Sequence, residues 1–263
     1  MCPPGHTSAP PPLLAVGPGA EAPSAPGPKM AEAEEAGGCS MIRSKKQFVY
    51  GTVSTMIQLV PGDSAGTVTT YYTSSLGDNH DEIDFEFLGN VTGQPYTIHT
   101  NVYAAGVGNK EMQFKPWFDP TAGYHNYTIS WTPCFIVWYI DSVPIRAFRN
   151  YEASHGPMYA YSSIWAAEDW ATQGGRVMAD WSKAPFVASY HGIDLDVCEC
   201  YGGSCVAGCA AGFSDWDRYC NLSGVQVGKM QWVQNNYRIY DYCADPKRWT
   251  NGQKPVECDL AQY

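Results

Sequence analysis

Apolar and polar positions alternate in short runs from Gln47 to Tyr190, and Gly, Pro, Asn and Asp clusters separate the runs. A period of two marks strands with one buried face. Val49, Val53, Ile57 and Leu59 fall on one such face, ahead of the turn Pro61-Gly62-Asp63-Ser64-Ala65-Gly66. Further strands are predicted over 67–74, 81–88, 96–103, 111–117, 127–131, 135–140, 143–148, 158–165 and 176–190. About ten strands with no long helical pattern between them predict an antiparallel sandwich or jelly roll. Near the C-terminus Met230, Val233, Tyr237 and Tyr240 recur at helical spacing, which predicts one short helix.

The first 40 residues depart from this pattern. Nine of the 19 prolines lie within the first 28 residues, and acidic positions follow from Glu32 to Glu35. Pro, Ala and Gly bury little area, so residues 1–43 are predicted to be a disordered segment. The apolar run from Leu13 to Val16 is too short for a secretory signal core, and no basic stretch precedes it.

Composition narrows the partners. The 263 residues carry 16 Lys+Arg against 26 Asp+Glu, a net charge of −10. That balance argues against nucleic acid and anionic membranes, which need basic patches. No apolar run approaches the length of a spanning helix. Seven of the ten cysteines follow residue 197: Cys198, Cys200, Cys205, Cys209, Cys220, Cys243 and Cys258. The cluster reads as a disulfide-stapled segment from an oxidising compartment, with a zinc site at Cys200, Cys205 and Cys209 as the alternative. Sequons at Asn90, Asn126 and Asn221 also fit secretion.

The chemistry concentrates in His80-Asp-Glu-Ile-Asp-Phe-Glu-Phe-Leu-Gly89. Alternation places Ile83, Phe85 and Phe87 on one strand face, and Glu82, Asp84 and Glu86 on the other. Three adjacent carboxylates repel, so at least one is expected to hold its proton while another is ionised. A nucleophile and a general acid/base in that relation meet the needs of retaining glycoside hydrolysis. Glu82 and Glu86 are about 13 Å apart at Cα along a strand, so their carboxyls converge only on a strongly curved sheet. A solvated acidic face and a hard-cation site remain open on this pattern alone.

The same strand resembles the active-site strand of the plant xyloglucan endotransglucosylase/hydrolases in glycoside hydrolase family 16. The resemblance extends over roughly residues 44–263. It takes in QLVPGDSAGTVTTYYTSS (58–75), HTNVY (99–103), WFDPT (117–121), YSSIWAAEDWATQGG (161–175), DWSKAPFVASY (180–190) and WVQNNYRIYDYC (232–243). It implies an all-β, concanavalin-like jelly-roll sandwich over 44–190, with a C-terminal, disulfide-bearing extension over 191–263. It implies Glu82 as nucleophile, Asp84 as its assistant and Glu86 as acid/base. Tyr72, His99, Asn101, Trp165, Trp170 and Gly174 would line the sugar groove, with flat aromatic faces suited to glucosyl rings and amides to hydroxyls. Asn90 matches a family glycosylation site, and Cys243–Cys258 a family disulfide. The implied reaction cleaves the β-1,4-glucan backbone of xyloglucan and passes the glycosyl-enzyme to a second xyloglucan chain or to water. A monomer without cofactor or metal, secreted to the cell wall, is expected. The family's strands before the equivalent of Gln47 are expected to be missing here, and the segment from Gly174 to Trp181 is short, as in transferase-dominant members. A hydrolase of another β-glucan and an inactive, lectin-like binding sandwich are the competing readings.

Overall fold

The computed structural model describes residues 30–36, 39–150, 156–201 and 203–261. Its strands, numbered in chain order, form two antiparallel sheets. The larger one runs β1 (Met30–Ala36), β2 (Cys39–Ser44), β11 (Tyr159–Ala166), β4 (Thr67–Ser74), β5 (Glu82–Leu88), β6 (Thr97–Tyr103), β7 (Met112–Phe114) and β13 (Arg238–Asp241). The smaller one runs β10 (Val143–Arg149), β9 (Phe135–Ile140), β8 (His125–Trp131), β3 (Phe48–Gln58) and β12 (Ser189–Glu199).

The alternation in β5 decides which way the larger sheet faces. Ile83, Phe85 and Phe87 are fully buried between the sheets, packed with Tyr127, Ile129 and Trp138 of the smaller one. Burying each such side chain contributes about 1.5–3 kcal/mol. A one-residue slip would drive Asp84 into that core, so the register of β5 is strongly fixed. Phe87 meets Tyr127 edge-on at 4.6 Å and Phe85 meets it at 5.7 Å. The three carboxylates therefore point away from the smaller sheet.

Several expectations are corrected. Residues 39–43, expected in the disordered segment, lie instead on β2, which pairs along β11 with Ser163 opposite Met41 and Trp165 opposite Cys39. β1 adds outside it. All nine prolines of the N-terminal segment precede Met30. None interrupts the ladder, and main-chain pairing to an open edge asks little of side-chain type. The edge expected to lack strands is thus occupied by β1 and β2; the rest of the expected disordered segment, residues 1–29, 37 and 38, lies outside the described residues. The strand expected over 176–190 instead begins at Ser189 and runs to Glu199. Before it, Asp180 caps a short 3-10 turn at Trp181–Lys183, and Phe186 and Ala188 pack under Val60 and Ile164. β2 and β12 both belong to the sandwich, so the sheets run across the expected boundaries at 43/44 and 190/191.

The C-terminal segment holds three helices, α1 (Val206–Ala211), α2 (Trp216–Tyr219) and α3 (Gly224–Tyr237), where one was expected. Ser223 and Gln226 form a capping box at the start of α3, and Met230 and Val233 are its buried residues. Tyr240, expected on the helix, lies on β13, which pairs with β7. Four disulfides tie the described residues: Cys134–Cys220, Cys198–Cys209, Cys200–Cys205 and Cys243–Cys258. The three thiols considered for zinc are all spent in these bonds. Cys243–Cys258 closes a loop of 15 residues, worth roughly 3 kcal/mol in the chain-entropy model.

Candidate active site

Ladder pairing arranges the site in rows across the larger sheet. Ser74, Glu82 and Tyr103 form one row, Tyr72, Asp84 and Asn101 the next, and Thr70, Glu86, His99 and Gln113 the third. All three carboxylates line one cavity of about 470 Å³, together with His80, His99, Asn101, Tyr103, Glu111, Trp165 and Trp170. The three side chains thus open onto one cavity although their strand positions are two residues apart.

Glu82 and Asp84 are 4% and 3% exposed. Burial, with the Glu86 charge adding, pushes Glu82 up to about 8, while a hydrogen bond from Ser74 favours its ionised form. Asp84 is pushed well above the usual carboxylate range by burial and by the charges of Glu86 and Glu82 on either side. The Asn101 backbone and the Arg146 charge oppose that shift. Each glutamate faces a histidine: His80 Nε2 lies 3.9 Å from Glu82, and His99 Nδ1 lies 4.0 Å from Glu86. Burial lowers His99, so its ring is neutral at neutral pH. Beneath the row, the Trp138 indole donates to the Asp84 carbonyl at 2.9 Å and anchors the strand from the core side. One polar atom each of Glu82, Asp84, His80, His99 and Trp165 is buried without a hydrogen-bond partner in the protein. Cavity-lining groups in that state suit a hydroxyl-rich ligand, which would complete their hydrogen bonds.

Because protonation of Glu82 is favoured in the folded state, the sign of its linkage is fixed. Its contribution to stability is full below the unfolded carboxylate value and is lost as pH rises through about 8. Wild-type thermal stability should therefore fall, relative to Glu82→Gln, between about pH 4 and pH 8, by roughly a few kcal/mol. Melting curves at several pH values check this; parallel curves for the two proteins would contradict it.

The expected groove residues divide between two places. Asn101 lines the carboxylate cavity, and its Oδ1 accepts from the backbone N–H groups of Val102 and Lys110 at 2.9 and 3.0 Å. Trp165 and Trp170 pack 6.0 Å apart, and Trp170 meets His99 edge-on at 6.2 Å. A second cavity of about 500 Å³ shares His99, Glu111 and Trp170 with the first, and Gly174 and Asn90 lie on it. Tyr72 lines neither; it stacks on Tyr161 at 4.8 Å, and its hydroxyl donates to Met41 Sδ at 3.6 Å.

Other contributors were not legible in the sequence. The Thr172 hydroxyl donates to the Gly89 carbonyl at 2.8 Å and accepts from the Gly66 N–H at 2.7 Å. That pins the loop carrying Trp170 to the ends of β4 and β5. Gly175 turns the loop at φ +79°, where a Cβ would strike the Asp169 carbonyl. Tyr240 and Arg248 of the C-terminal segment wall the second cavity, and Arg248 pairs with Glu111. Only the pairing of β13 with β7 brings them there. β13 is only four residues long and directly follows α3, so it left no periodic signal that could have found it.

Comparison with known proteins identifies the family. The model of glycosyl hydrolases family 16 matches residues 28–183, and that of the xyloglucan endo-transglycosylase C-terminus matches residues 211–258. The chain is 50% identical over 228 residues to xyloglucan endotransglucosylase/hydrolase protein 22 of Arabidopsis thaliana, covering 83% of this chain and 80% of the relative. It is 47% identical over 230 residues to xyloglucan endotransglucosylase protein 7 of Diospyros kaki, covering 84% and 85%. Among solved structures, the Crh5 transglycosylase in complex with NAG superposes with a TM-score of 0.51 at 23% identity, over 60% of this chain and 68% of that one. This last likeness bears on the fold alone. The chain belongs to glycosyl hydrolase family 16 and, within it, to the xyloglucan endotransglucosylase/hydrolases.

Proposed function

We propose that this protein cuts the β-1,4-glucan backbone of xyloglucan and transfers the new end to another xyloglucan chain. The observation that carries the reading is the sharing of one cavity by Glu82, Asp84 and Glu86 with two tryptophans, in a chain of this family. Glu86 protonates the glycosidic oxygen as the bond breaks, while Glu82 attacks the anomeric carbon and forms the glycosyl-enzyme. Asp84, between two carboxyls, holds the proton that burial imposes, and Glu82 attacks in its ionised form, whose share grows as pH rises toward about 8 and which the Ser74 hydrogen bond favours. Glu86 then removes the proton of the incoming sugar hydroxyl as it displaces Glu82. Trp165 and Trp170 offer aromatic surface to glucosyl rings, and Asn101 with neutral His99 offers polar contacts.

The second cavity adjoins the carboxylates through His99, Glu111 and Trp170, so an acceptor chain has room beside the reacting centre. Gly174 lines that cavity, and the short segment from Gly174 to Trp181, resembling transferase-dominant members, favours a sugar acceptor over water. Residues 191–263 act as a wall of the same groove. The disulfides fit secretion to the plant cell wall, with Asn90, on the cavity rim, carrying a glycan; the chain works as a monomer on xyloglucan donor and acceptor. The test is incubation with xyloglucan and a labelled xyloglucan oligosaccharide. Label should enter the polymer faster than reducing ends appear. Binding without transfer or cleavage would support the lectin-like reading instead, and faster cleavage of another β-glucan would move the substrate.

A further inference from the structure

A fully buried cation lies under the carboxylate row. Arg146 is 1% exposed on β10, opposite Trp138 of β9, so both side chains point toward the larger sheet. Its guanidinium carbon stands 4.7 Å over the Trp138 ring, the same ring whose N–H holds the Asp84 carbonyl. One guanidinium nitrogen donates to the Thr100 carbonyl at 2.8 Å and to the Thr100 hydroxyl at 2.9 Å. The other donates to the Lys110 carbonyl at 2.6 Å. Thr100 precedes Asn101, and the Lys110 N–H is itself held by the Asn101 side chain. Arg146 thus ties down the backbone on both sides of the residue that pairs with Asp84.

Binding two carbonyls does not by itself require a charge, and burying one is costly unless something nearby gains from it. Every hydrogen-bond acceptor of Arg146 among the described residues is an uncharged oxygen. We propose that Arg146 is a positioning residue for the catalytic row, fixing Asn101 against Asp84 and supplying the buried positive charge that lets the row ionise. This rests on the assignment of Asp84 to the catalytic row. The titratable groups that share the cavity with Asp84 are His80, Glu82, Glu86, His99, Tyr103 and Glu111; Tyr72 pairs beside it on β4, and Arg146 acts on it from the smaller sheet. Arg146 and the Asn101 backbone favour the ionised carboxyl, against burial and the two glutamates. Loss of the charge raises the first ionisation of the coupled carboxyls, because less then offsets their mutual repulsion.

The experiment uses the full chain with Arg146→Met and Arg146→Lys, and follows kcat/KM for xyloglucan transfer against pH. In parallel, carbon-13 NMR follows the titration of the Asp84 and Glu82 carboxyls. Arg146→Met should move the acid limb, and the carboxyl titration with it, to higher pH by about one unit or more. Arg146→Lys should lower kcat through the lost fork while keeping the limb near its wild-type position. A folded Arg146→Met protein with the wild-type titration overturns the proposal. So does an Arg146→Lys protein whose limb moves upward, and this variant decides the matter if Arg146→Met does not fold. Failure of the wild type to act on xyloglucan would sink the functional reading but leave the NMR titration as the test of Arg146.

Discussion

Glu82→Ala is expected to lower xyloglucan transfer by on the order of a thousandfold or more, the scale of losing a nucleophile. The loss should fall on kcat, because Glu82 forms the covalent bond and contributes one of many contacts to the sugar chain. Folding should survive. Removing a buried acid that folding forces toward its neutral form relieves repulsion within the row, which offsets part of the vacated volume. Initial rates with labelled acceptor, alongside far-ultraviolet circular dichroism, measure both effects. Near-normal turnover by folded Glu82→Ala would show that another carboxylate attacks, and Asp84 would be the next to substitute.

Glu86→Gln should separate the two halves of the reaction. Cleavage of unactivated xyloglucan needs a proton on the leaving oxygen, so its rate should drop by about a hundred- to ten-thousandfold. An aryl glycoside with a good leaving group needs no such proton. With that donor the first step should continue, and the glycosyl-enzyme should accumulate, since no base remains to activate the acceptor. Intact-protein mass spectrometry would show the adduct on Glu82. A variant equally slow on both donors would place Glu86 outside acid/base chemistry, and an anionic nucleophile that fails to discharge the adduct would count against it too.

Most of the sandwich was legible because strands with one wet face carry a period of two. The strands at Thr67–Ser74 and Phe135–Ile140 begin and end where the pattern puts them. The carboxylate face of β5 follows from the same alternation, since Ile83, Phe85 and Phe87 leave Glu82, Asp84 and Glu86 no other side. Where local signal misled, tertiary contacts overrode it. Residues 39–43 end a Pro/Ala/Gly-rich segment expected not to pack, yet they pair along the open edge of β11, which needs only main-chain partners. The segment 176–190 read as apolar and strand-like, but its Phe186 and Ala188 are buried by folding under Val60 and Ile164 rather than by pairing.

The sequence by itself determined the two-faced strand, the identity of its three acids and the number of cysteines available for bridges, because those depend on neighbours a few residues apart. Only the tertiary structure decided how the acids share a cavity, since its walls come from β6, β11 and the loop carrying Trp170 as well as from β5. It also decided that Cys134 reaches Cys220 across 86 positions, that Tyr240 and Arg248 wall the groove, and that a buried arginine lies beneath Asp84. Each of these joins residues far apart in the chain, where the closing of long loops is settled by the whole core and leaves no periodic mark on the residues it brings together.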